Sequence, residues 1–382
     1  GAHIDAGIKI IFDQDMDRAS VEKNFSIDPA LKGSLRWEDD RDLIYDHDPL
    51  TKDTQYTIKL AQNLHSQKGG ITIQEINYGF HSIGPVEVTG FSPGNGAGGV
   101  GTGTNIVVYF NQEVDHGSAQ SKFSISPNVD GGFSWDGNAL IFNPSGSLGY
   151  QSTYNVNLGS GVRSVYGLDS RNGASARFTT QEQILQLNVP VYYQRLRFSC
   201  NIEAVRMALA YRGIYKSVDT LLGEIAHDNT PFVCDPPTSN NCTSGGNPYA
   251  GYIGDVYGRS KGYGVYWPPV SNLISRYRIN TIHTGWNLSG LLDEISNGNP
   301  VIVWANNGYG NAGTGYHWTT PDGVYIHAVI GMHSYVVSGF KGPKDNPSAI
   351  ILNDSNRGRW TVSKDYFLGL WSNFNNTGIV VY

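Results

Sequence analysis

The strongest constraint on this chain is that it repeats itself. "GIKIIFDQDMD" (Gly7–Asp17) aligns with "NIVVYFNQEVD" (Asn105–Asp115), and "KNFSIDP" (Lys23–Pro29) with "SKFSISP" (Ser121–Pro127). The offset is constant: Phe12 and Phe110, Phe25 and Phe123, Trp37 and Trp135, and Tyr56 and Tyr154 each stand 98 residues apart. A fixed offset held over that span makes each copy one structural unit. Within a copy, short alternating segments such as IVVYF, FSIS and TYNVNL lie between Gly, Asn, Asp and Pro turns, which is the pattern of an antiparallel β-sandwich. Two all-β sandwiches in tandem are expected, over residues 1–83 and 84–181. The first copy has no counterpart of "VEVTGFSPGNG" (Val86–Gly96), so its opening strand is expected to be missing.

After "ARFTT" (Ala176–Thr180) the pattern changes at "QEQILQLNVP", and helical periodicity is read there for the first time. Three helices are predicted: Cys200–Arg212 ended by Gly213, Val218–His227, and Ser289–Asn297 behind Asn287 and closed by Gly298. In the third, Leu288, Leu291, Leu292 and Ile295 make one apolar stripe. Strands are predicted at Pro300–Ala305, His333–Phe340, Ser348–Asp354 and Gly378–Tyr382. Helices first and strands afterwards indicate an α+β domain over 182–382.

Cys200 stands directly before the first helical pattern. With Ser199 as N-cap it falls in the first turn, where unpaired N–H groups and the positive dipole end favour a thiolate. Attack on a carbonyl also needs a base, a group to orient it and a donor for the oxyanion. His333 at a strand start, Asp354 at a strand end and Gln194 six residues before the cysteine are the candidates. The order Gln, Cys, His, Asp, with the cysteine on a helix and the base on a later strand, is that of papain-like enzymes. Each residue also has a plainer reading. A lone cysteine is often a small buried hydrophobe. Asp354 could cap the "NDSN" turn, and Gln194 could be an exposed polar residue. His327 competes with His333 as base, and His317, His327 and His333 form a three-histidine set whose spacing matches no metal-ligand pattern. No cofactor and no metal are expected.

Two resemblances follow from these residues. "FSP.NG" (Phe91–Gly96), the "V.FNQ.VD" strand and "ARFTT" resemble the bacterial Ig-like domains of S-layer type over residues 1–180, which implies a spacer or adhesive role. "LNVPVYYQ" and "SCNIEAVRMALAYRG" with the blocks Tyr249–Val270, Trp318–Phe340 and Ile350–Phe367 resemble the bacteriocin-processing-like cysteine peptidases, family thirty-nine, in their secreted stand-alone branch. "SCNIEAV" stands where the wider family has Cys-Gly-Pro-Ala. This resemblance implies Cys200 as nucleophile, His333 as base, Asp354 as its orienting partner and Gln194 as oxyanion donor. The expected whole is multidomain: two Ig-like sandwiches followed by an α+β papain-like cysteine peptidase domain that hydrolyses a peptide or related amide bond through an acyl-enzyme. The alternatives are a non-catalytic peptide-binding or adhesion scaffold, and an acyl transferase of transglutaminase type.

The remaining features set the surroundings. Cys234 and Cys242 flank a Pro- and Asn-rich loop and are expected to pair in an oxidising compartment, leaving Cys200 as the odd thiol. A net charge of −6 without a basic run argues against a nucleic-acid or anionic-membrane surface, and neither partner is expected. No apolar run is long enough to span a bilayer. Gly1 stands where Met would, so a targeting segment is expected to have been removed, with a secreted or cell-surface location. The expected partners are a peptide or protein substrate, with cell-wall or surface components as candidates for the Ig-like domains. "GNGAGG" (Gly94–Gly99) and "GYGNAG" (Gly308–Gly313) fit the dinucleotide-turn pattern but lack the flanking strand and helix that would make it bind.

Overall fold

The computed structural model describes residues 1–236, 241–259, 261–308 and 315–382. Contacts divide the chain into two compact units, Gly1–Gln181 and Glu182–Tyr382.

In the first unit the repeat recurs at the level of contacts. Strands Val88–Ser92, Ile106–Phe110, Ala139–Pro144 and Gly131–Asp136 form one four-stranded sheet, and Phe123–Ser126, Thr153–Leu158, Ala174–Thr180 and Ala97–Val100 form another. Earlier in the chain, Ile8–Ile11, Asp42–His47 and Gly33–Trp37 form a three-stranded sheet, as do Phe25–Asp28, Gln55–Leu60 and Ile76–His81. The equivalent aromatic pairs stack alike, Phe12 on Trp37 at 5.9 Å and Phe110 on Trp135 at 6.2 Å. Tyr56 and Tyr154 each accept a backbone N–H through the hydroxyl at 2.9 Å, from Thr51 and Gly149. The first copy has no partner strands matching Val88–Ser92 and Ala97–Val100. An apolar cleft of about 440 Å³ opens there between Ile8, Ile10, Ile58, Leu60, Tyr78 and Phe80.

Helices are not confined to the second unit. Arg18–Asn24 and His116–Lys122 are helical, so the reading that helices begin only after residue 181 is corrected. Each runs seven residues and buries a single side chain, Val21 or Ala119, which leaves no apolar stripe for a 3.6-residue period to reveal. "GNGAGG" leads into the strand Ala97–Val100, not a helix. Residues 309–313 of the second glycine-rich segment lie outside the described residues.

The second unit is built on a central sheet in the order Asn280–His283, Gly378–Val381, Val301–Asn306, Met332–Lys341, Ala349–Asp354, Gly358–Ser363, with Ile184–Gln186 pairing on the end of Met332–Lys341. Ile302, Trp304, Val336 and Ile379 face a core with the helices Cys200–Tyr211 and Trp267–Ser275. Val301, Val303, Val337 and Val380 face a second core with Leu288–Ser296 and Lys364–Ser372. Both faces are covered, and that is why "VIVWA" reads as a continuous apolar run without alternation. Burying each of its large side chains contributes roughly 1.5–3 kcal/mol, an upper estimate because the unfolded chain already hides part of that surface.

The predicted Val218–His227 helix ends at Glu224, and Asn287 caps the Leu288–Ser296 helix through its side chain, which accepts the Gly290 N–H at 2.7 Å. Trp267–Ser275 escaped the sequence reading because its first turn holds Pro268 and Pro269. Prolines there replace N–H groups that have no helical acceptor. Cys234 is joined to Cys242 across the short strands Val233–Cys234 and Cys242–Ser244. No described helix is long and apolar enough to cross a membrane.

Candidate active site

Cys200 is the first residue of the Cys200–Tyr211 helix, which is held by ten buried residues against the sheet. Ser199 occupies the N-cap position without capping. Its hydroxyl donates to the Leu196 carbonyl at 3.0 Å, tightening the turn that delivers the cysteine. The first-turn N–H groups therefore lack a side-chain cap and point at the helix entrance. Cys200 is free and buried, with its Sγ 3.8 Å from Asn201 Oδ1.

His333 and Asp354 meet because of sheet register. The strands Met332–Lys341 and Ala349–Asp354 run antiparallel with Tyr335 opposite Asp354, so His333, two residues before Tyr335, is the diagonal neighbour of the carboxylate. His333 Nε2 donates to Asp354 Oδ1 at 2.8 Å, and the two residues are 4% and 1% exposed. The same Oδ1 accepts the Asn356 N–H at 2.8 Å, and Arg357 Nε lies 3.9 Å from Oδ2. Asp354 thus caps its turn and holds the histidine at once. With Nε2 on Asp354, Nδ1 is the ring nitrogen left for the thiol.

The charges support one another. Burial pulls the His333 pKa down, but the charge of Cys200, hydrogen bonding to Asp354 and Cys200, and the Asp354 charge outweigh it and hold the value up at about 9. Burial pushes Asp354 up, but the His333 contact, the Asn356 N–H and Arg357 keep it below the ordinary carboxylate range. These surroundings favour the protonated ring of His333 beside an ionised Asp354.

Gln194 faces the same cleft, of about 240 Å³, as Cys200, His333 and Arg197. Its Oε1 accepts the Ser355 hydroxyl at 2.8 Å and its Nε2 donates to the Arg197 carbonyl at 3.2 Å, while its backbone N–H donates to the Ser355 carbonyl at 2.9 Å. The amide is fixed in orientation, with a second Nε2 hydrogen available. The four sequence candidates are therefore brought to one place. His327 and His317 are not: they face each other across the strands Tyr325–Ala328 and Tyr316–Thr319, exposed, and neither lines this cleft. No three metal-ligating side chains converge among the described residues.

Three supporting residues were missed. Asn201 Nδ2 donates to the Ser334 hydroxyl at 2.6 Å, tying the residue after the cysteine to the residue after the histidine. Ser355, the residue after the aspartate, holds Gln194. The signal was present as a polar residue beside each candidate in an otherwise apolar element, "SCN", "HSY" and "NDS". Gly264 packs over this junction with φ +98, and a Cβ there would lie 2.8 Å from Met332 Cε and 3.2 Å from Asn201 Oδ1. Glycine alone meets both demands.

The sequence model of the Peptidase_C39 like family matches residues 186–379, which contain this cleft. The chain belongs to that family. A Bacterial Ig-like domain model matches residues 82–180, so the Peptidase_C39 like domain is preceded by a bacterial Ig-like domain. Uncharacterized protein YvpB of Bacillus subtilis (strain 168) is 26% identical over 192 residues, covering 49% of this chain and 71% of that protein. Among solved structures, a C39-like one from Bacillus anthracis is 23% identical with a TM-score of 0.45, covering 52% of this chain and 98% of that chain. An L,D-transpeptidase from Mycobacterium smegmatis is 25% identical with a TM-score of 0.22, covering 27% of this chain and 42% of that one. Family membership agrees with the resemblance drawn from the residue blocks, and the Peptidase_C39 like match spans all four candidate residues.

Proposed function

We propose that residues 182–382 are an α+β, papain-like cysteine peptidase that hydrolyses a peptide or related amide bond through an acyl-enzyme on Cys200. The observation that carries this is the buried His333–Asp354 pair opening on the cleft that holds Cys200 at a helix N-terminus. The Cys200 sulfur bonds to the carbonyl carbon with its proton already held on His333 Nδ1. The oxyanion takes the Gln194 Nε2 hydrogen and the Cys200 backbone N–H. Collapse breaks the C–N bond as Nδ1–H protonates the departing amine, and a water, deprotonated by the same ring, attacks the thioester and releases Cys200.

Residues 1–83 are proposed as part of a second copy of the Ig-like domain, supported by the constant 98-residue offset and the matching aromatic pairs. A secreted or cell-surface location is supported by the Ig-like domain and the Cys234–Cys242 disulfide. In that setting the Ig-like domains would carry the peptidase and contact surface material.

The test is to incubate the full chain with a peptide mixture and map new termini by mass spectrometry beside a Cys200→Ala control. New termini are expected with the native chain and none with the variant. Identical patterns, or none in either, would remove the peptidase reading.

A further inference from the structure

The cleft does not stop at the cysteine. It continues past Gln194 into an adjoining hollow of about 350 Å³ that shares Gln194, Arg197 and Asn356 and adds Arg195, Leu196 and Tyr257. Among the described residues no Asp or Glu lines either hollow, in a chain whose net charge is −6. The turn Asp255–Arg259 brings a further guanidinium to this rim, with Arg259 lying 4.6 Å over the Tyr257 ring.

These cations are placed by the fold. Phe198 N–H donates to the Val256 carbonyl at 3.1 Å, and Tyr252 donates to the Phe198 carbonyl at 2.7 Å, fixing the loop to the turn. The Arg197 stem lies on Gly258, where φ is +73 and a Cβ would sit 2.4 Å from Arg197 Cδ. Asp255, in the same turn, accepts the backbone N–H groups of Tyr257 at 3.0 Å and Arg259 at 2.9 Å. Glu203 feels the Arg195 charge, but its carboxylate is held by Arg206 at 2.7 Å. Among the described residues, none of the guanidiniums of Arg195, Arg197 and Arg259 forms an ion pair.

We propose that the cleft selects peptides carrying a carboxylate side chain beside the scissile amide, received by Arg195 and Arg197 with Arg259 reinforcing the field. The inference rests on the peptidase reading and names its substrate class. Guanidinium groups suit this because they present forked donors and are weakly hydrated, so they pair with carboxylates at modest desolvation cost. A cleft of one sign also concentrates substrates of the other before contact.

The experiment uses the full chain and a library of quenched fluorescent peptides in which each position flanking the cleaved bond is Glu, Gln or Lys. Two exposed ion pairs give an expected Glu-over-Gln preference in kcat/KM of about twofold to thirtyfold. The preference should shrink at high salt through screening. It should fall towards one in Arg195→Gln/Arg197→Gln, whose backbone carbonyl at 197 still holds Gln194. Equal kcat/KM for Glu and Gln peptides in the native chain would overturn the carboxylate inference alone. A library in which no member is cut would overturn the peptidase reading with it.

Discussion

His333→Ala is expected to lower kcat/KM by about 10⁴-fold or more, because in the proposed mechanism one ring both holds the thiol proton and protonates the leaving amine. His327→Ala is expected to stay within about twofold of the native chain, since that ring lies exposed on a strand that does not line the cleft. Steady-state kinetics on one cleaved peptide measures both. Because His333 is buried, a His333→Gln variant and a thermal melt separate lost chemistry from lost folding. If His327→Ala produces the large loss and His333→Ala does not, the base assignment falls.

Asp354→Asn is expected to lower kcat/KM by about 10²–10⁴-fold, and to change its pH dependence. The sign follows from linkage. His333 is held up at about 9, against an ordinary value near 6.5, by the Cys200 and Asp354 partners acting against burial. Stabilisation of the imidazolium is fully present below the ordinary value and is lost as pH rises through about 9. Turnover needs that proton for the leaving amine, so kcat/KM in the native chain should fall on the alkaline side near pH 9. The Asn amide removes the anionic partner, and the alkaline limb should move to lower pH. Below neutrality, Asp354 stays ionised in the native chain until its lowered pKa is reached. A pH–rate profile of Asp354→Asn with an unmoved alkaline limb would show that Asp354 does not tune the ring.

The parts of this molecule that were legible in the sequence are those that recur or sit at element ends. The 98-residue offset exposed the repeat because the same aromatic positions are used twice. Cys200 at a helix start, His333 near a strand start and Asp354 at a strand end could be named as candidates because polar groups at the ends of packed elements can reach a shared cleft. What could not be read was pairing. Nothing in "HSY" and "NDS" states that Tyr335 lies opposite Asp354, and that register alone makes His333 its diagonal neighbour. The Asn201–Ser334 bond and the Ser355 anchor for Gln194 span 133 and 161 residues, beyond any local pattern. Helices of seven residues with one buried side chain, and a helix opened by two prolines, likewise leave no periodic trace.

The measurement that meets the central claim most directly is intact-mass spectrometry of the non-reduced full chain after treatment with a peptidyl epoxide, followed by peptide mapping. Cys200 is the free thiol and Cys234 is joined to Cys242, so one sulfur is open to reaction. The account predicts a single stoichiometric adduct on Cys200, formed much more slowly in His333→Ala. A folded chain that binds peptides while Cys200 stays unmodified, or that takes its adduct at another residue, would contradict it and leave a peptide-binding scaffold.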